Sequence, residues 1–115
     1  MALVDIDQLI QDIKTSTSDI LGKDVTTIRG FSSRQLNGLA NQSALIASGI
    51  SSGQITPDNR DFFLDQLVEL AHNFVNTLVG LLMATIERLW NAVVSIIWST
   101  ISKATGVQLP AFNPL

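Results

Sequence analysis

The chain has no cysteine. That excludes disulfides, thiolate metal sites and cysteine nucleophiles, and leaves the compartment open. Charge is also scarce. Only 15% of the 115 residues are Asp, Glu, Lys or Arg, against roughly 25% in an ordinary globular domain. The seven cations are scattered and outnumbered by ten acids. Nucleic-acid-binding proteins carry a basic face, so no nucleic-acid partner is expected. Residues 1–7 lack both the basic stretch and the apolar core of a secretory signal, and the expected location is cytoplasmic. There is no glycine-rich phosphate loop, zinc-ligand spacing or nucleophile elbow. A Ser-His-Asp set can be assembled on paper around the single histidine, but no spacing supports it. No cofactor and no catalytic residues are expected.

What is present is apolar surface. Hydrophobic residues make up 46% of the chain, and the mean hydropathy is +0.32. Charge thins out toward the C-terminal part: residues 73–115 hold only Glu87, Arg88 and Lys103. One helical domain spanning 1–115 is the expectation from length, with more apolar helix surface than one copy buries.

The elements follow from periodicity and punctuation. Leu3, Ile6, Ile10, Ile13, Thr17 and Ile20 step by three and four, which predicts helix 1 over about 3–21, flanked by Leu9 and Leu21 and stopped at Gly22. Residues 22–31 read as a connector. Helix 2, about 32–52, starts at a serine cap and buries Leu36, Leu39, Ala40, Ser43, Ile46, Ala47 and Ile50. Ser52-Gly53 ends it.

Thr56-Pro57-Asp58 marks the start of helix 3. No proline recurs before Pro110, so one helix over about 57–104 is expected, roughly 70 Å long at ~1.5 Å per residue. Gly80 is its one weak point, and a lone glycine costs only ~1 kcal/mol there. Residues 107–115, with Pro110 and Pro114, form an extended apolar tail that docks. The predicted fold is all-α: an elongated antiparallel helical hairpin, two shorter helices against one long one, completed to a bundle by self-association. The five residues from Ser52 to Thr56 force a reversal that pairs positions summing to roughly 108. If helix 1 continues in line beyond the connector, the same register brings Asp5 toward Lys103; the competing layout folds helix 1 back beside helix 2 as a compact three-helix bundle, with helix 3 broken at Gly80.

Two constellations carry chemistry. Glu69-Leu70-Ala71-His72 puts a carboxylate and an imidazole one helical turn apart. Carboxylate-bridged di-iron bundles use that spacing, and a symmetric dimer holding two copies resembles half-sized ferritin-like proteins with a shared metal site. The pattern departs from them in helix 2, because residues 32–55 contain no Asp or Glu. Glu69 and His72 therefore stand as metal candidates against an expectation of no metal. The main apolar stripe of helix 3 runs through Ala71, Phe74, Leu78, Leu82, Ile86, Leu89, Val93, Ile97 and Ile101. The second constellation is an aromatic flank: Trp90, Val94 and Trp98 lie outside that stripe, where a soluble helix is normally polar, and Met83 and Ile101 extend the patch. Buried aromatics anchor interfaces, so these five are the expected association surface.

The sequence thus points to a non-enzymatic structural or protein-interaction module acting as a homo-oligomer, with a dimer as the expected assembly and another protein as a further partner class. A membrane-active helical protein, pore-forming or lysis-type, is the alternative. Its weakness is that Glu87 and Arg88 interrupt the apolar run, and a spanning helix needs about 20 apolar residues. A ferritin-like metal-binding protein is the third.

Overall fold

The computed structural model describes residues 3–114. Within them the chain is all-helical, with no strand among the described residues. Four α-helices follow one another: α1 (Ile6–Leu21), α2 (Ser33–Ser52), α3 (Arg60–Asn76) and α4 (Met83–Thr105), with a 3-10 turn at Val25–Thr27 between the first two. Helix starts are set by side chains that satisfy otherwise unpaired N–H groups. Asp5 accepts from the Gln8 N–H at 3.1 Å, and Ser32 accepts from the Gln35 N–H at 3.1 Å. The Asp5 cap is why α1 begins at Ile6 and Leu3 lies outside it. At the head of α3 the Thr56 N–H donates to Asn59 Oδ1 at 2.7 Å. That ties residues 57–59 into a turn, and the helix proper begins at Arg60. Gly22, Gly53 and Gly106 follow the last residues of α1, α2 and α4.

The long helix expected over 57–104 is not formed. It breaks at 77–82, for reasons that are tertiary. The Val79 N–H donates to the Arg29 carbonyl at 2.8 Å. The Thr77 hydroxyl donates to Phe74 O at 2.9 Å and lies 3.1 Å from Gln35 Oε1. Gly80 takes φ +83°, a left-handed conformation that glycine adopts at little cost. The turn therefore recovers on the 29–35 segment one backbone and one side-chain hydrogen bond against those that the helix gives up. The principal extents are 42 × 29 × 19 Å, far short of a rod.

The break raises the number of helices available to one core from the expected three to four. The four-helix cross-section expected from two copies is supplied by a single chain. α4 packs most extensively on α1, and also on α2 and α3; α2 packs on α3. Leu3, Asp5 and Asp12 share a groove with Lys103, Ser99 and Ser95, so α1 runs antiparallel to α4. His72 stacks edge-on against Trp90 at 5.7 Å, and Asp61 shares a groove with Trp98. α3 is therefore antiparallel to α4 as well.

The buried stripe of α1 is Leu9, Ile13 and Thr17, with Ile6, Ile10 and Ile20 only partly buried beside it. This rotates the expected seam, and Leu3 stays 46% exposed. On α2 the expected stripe is buried from Leu36 to Ala47, while Ile50 is half-buried. The two buried hydroxyls are satisfied within their own helices, Thr17 by Ile13 O at 2.7 Å and Ser43 by Leu39 O at 2.8 Å. The core therefore hides no unpaired hydroxyl, which would cost about 1–3 kcal/mol.

Candidate functional site

The aromatic flank of α4 is covered by the chain itself. Past Gly106 the tail turns back along α4. Trp98 Nε1 donates to the Pro110 carbonyl at 2.8 Å, and Trp90 Nε1 donates to the Asn113 carbonyl at 3.1 Å. The spacings match: eight helical residues rise about 12 Å, close to the reach of three extended ones. Phe112 stacks edge-on against Trp98 with centroids 6.0 Å apart, and Leu109 is buried. Of the five residues expected at an association surface, Trp90, Val94 and Ile101 are buried within this chain, Trp98 is half-buried beneath the tail, and only Met83 is open. The surplus apolar surface that motivated the set is largely used internally, because the tail acts as a fifth layer over α3 and α4. A shallow groove of about 450 Å³ remains there, rimmed by Asp61, Asp65, His72 and Asn113.

Glu69 and His72 both lie on the exposed side of α3. The Asn76 amide sits 2.9–3.0 Å from the His72 ring nitrogens, and the other side of the ring meets Trp90. Among the described residues no group of three or more His, Asp or Glu comes together to hold a metal ion. No helix of the described chain is long and apolar enough to cross a membrane.

Most of the open apolar surface lies elsewhere, at two places. On α2, Leu45 is 65% exposed in the middle of the outer face. Beside it is a hollow of about 260 Å³ lined by Gln42, Ile46, Gly49, Ile55 and Phe63. Phe62 on α3 is 62% exposed. The second place is the α3–α4 turn, where Val79, Leu82 and Met83 stand out from the end of the bundle with Leu82 78% exposed. Sequence reasoning missed Leu45 and Phe62, although Leu45 falls outside the helix 2 stripe and is the one large apolar residue to do so between Leu36 and Ile50. It placed Leu82 on the apolar stripe of helix 3 because it assumed an unbroken helix. No protein-family model matches the chain, and neither the curated proteins nor the solved structures compared with it give a match.

Proposed function

We propose that this protein is a non-enzymatic helical interaction module that associates with a second copy of itself through the outer face of α2. The observation that carries the reading is Leu45, exposed on a helix face without charge. From Gln35 to Thr56 there is no Asp, Glu, Lys, Arg or His. A two-fold axis sets the same patch of each copy against the other, so a patch with net charge repels its copy and a neutral one does not. Gly38, Asn41, Leu45, Ser48 and Ser52 are all exposed and step by three and four, the spacing of a helix–helix seam. Nothing lies within 4 Å of a Cβ placed at Gly38, so a neighbouring helix has room to approach. The hollow beside Leu45 is the receiving site for the partner's Leu45. The original aromatic set does not serve here, since its own tail already fills that role.

The test is solution mass by light scattering at micromolar concentration without detergent. The expected result is a dimer for the native chain and a monomer with unchanged helix content for Leu45→Glu. A native monomer, or a Leu45→Glu dimer, overturns the proposal.

A further inference from the structure

The turn between α3 and α4 carries a second surface of different character. Val79, Leu82 and Met83 are 51%, 78% and 64% exposed. They project from one end of the bundle, where the turn rests on the connector through the bond from Val79 N–H to Arg29 O. Across the two segments that meet there, residues 25–35 and 73–86, the only charged residues are Arg29 and Arg34, both exposed. The next charges outward come in opposite pairs, Lys23 with Asp24 and Glu87 with Arg88. The opposite end of the bundle carries Asp5, Asp7, Asp58, Asp61 and Asp65 against Arg60 and Lys103. The molecule is therefore polarised: an apolar tip with two arginines at one end, and excess acid at the other.

We propose that this tip docks on an anionic lipid surface, with Val79, Leu82 and Met83 entering the headgroup layer and Arg29 and Arg34 meeting lipid phosphates. Charge selects the occupant. The two arginines disfavour a second copy of the same tip, and they suit an anionic bilayer, which attracts basic residues near its surface. The acidic end faces away from that membrane, so the electrostatic moment orients the molecule. The start of α4 adds to the fit. Its cap position is Leu82, which offers no side-chain acceptor, and its first turn holds no acid. The free N–H groups of that turn are left for a headgroup phosphate. No helix spans the bilayer in this arrangement; the contact is peripheral, and a few apolar side chains plus two cations make it reversible.

The experiment is flotation of the full chain with vesicles of phosphatidylcholine alone and of phosphatidylcholine with about 30% phosphatidylglycerol, the surface charge being the variable. Binding is expected to the anionic vesicles and to be weak on the neutral ones. Leu82→Ser with Met83→Ser is expected to lower partitioning about tenfold or more, since both side chains lose their apolar transfer. Arg29→Gln with Arg34→Gln is expected to lower it about fivefold per arginine. Circular dichroism of each variant confirms that helix content is kept. Leu45→Glu is expected to retain binding, which separates this surface from the self-association face. Absence of flotation with anionic vesicles overturns the proposal, as does equal binding by the tip variants. A fall in solution mass for Leu82→Ser with Met83→Ser also overturns it, because it would show that a protein covers the tip.

Discussion

Trp98 and Pro110 are joined by a 2.8 Å hydrogen bond from the indole N–H to the proline carbonyl, which fixes the tail at the point where it turns back over α4. The bond is read from the backbone, so it depends on Trp98 and not on the identity of residue 110. Trp98→Phe keeps most of the ring and loses the donor. The expected cost is about 1 kcal/mol of stability, together with faster cleavage of residues 107–114 in limited proteolysis. Trp90→Phe should act in the same direction through Asn113, and the two together should release the tail while leaving helix content in place.

The α3–α4 turn supplies a test by glycine. Gly30 has φ +92°, and a Cβ there collides with the Thr77 carbonyl. Gly30→Ala is therefore expected to destabilise the fold by about 2 kcal/mol or more, since the left-handed penalty alone is ~1–2 kcal/mol. Gly38→Ala, in a helix with open space around it, should instead stabilise by about 0.5–1 kcal/mol. Chemical denaturation of both variants decides. A neutral Gly30→Ala would mean that the turn does not rest on the connector.

The break at 77–82 predicts opposite outcomes for two leucines on one sequence stripe. Leu82 is exposed and Leu89 is completely buried. Leu89→Ala should cost about 2–5 kcal/mol, and Leu82→Ala no more than about 0.5 kcal/mol. Equal, large losses at both positions would restore the continuous helix.

Asp24 gives a pH signature. Its carboxylate accepts from the Thr26 hydroxyl at 2.7 Å and the Thr26 N–H at 2.9 Å. These bonds, the hydroxyl's first, hold it below its ordinary value of 3.8, with Lys14 adding a smaller pull. A carboxylate lowered in the folded state contributes stability above its unfolded value and loses it as the pH falls through the folded one. The melting-temperature gap between the native chain and Asp24→Ala should thus be steady from about pH 5 to 8. It should narrow below about pH 4. A gap that widens in acid would contradict the assignment.

What the sequence revealed was local. The inward stripe of α2, the serine at its start and the glycines that stop three helices are legible because each depends on residues within one or two turns. Asp5 and Lys103 do line the same groove, but the unbroken helix from which that pairing was argued is not formed. The failure at Gly80 has a different origin. Ending a helix there costs several backbone bonds, which local propensity argues against. Those bonds are replaced by Arg29 and by packing of α4 on α1 and α2, and no window of sequence contains both sides of that exchange. The covering of the aromatic flank is equally non-local. Trp90 and Trp98 looked unsatisfied until Leu109, Phe112 and two tail carbonyls were laid over them, although the tail's apolar character was visible from the start.

The pairing of the first helix with the last also governs when the protein can fold. During synthesis α1, α2 and α3 leave the ribosome without the helix that touches all three. The parts of their faces that α4 covers stay open until it follows, at ~5–20 residues per second. Closure is therefore a late, all-at-once event, and the partly made chain is at its stickiest just before its fourth helix appears.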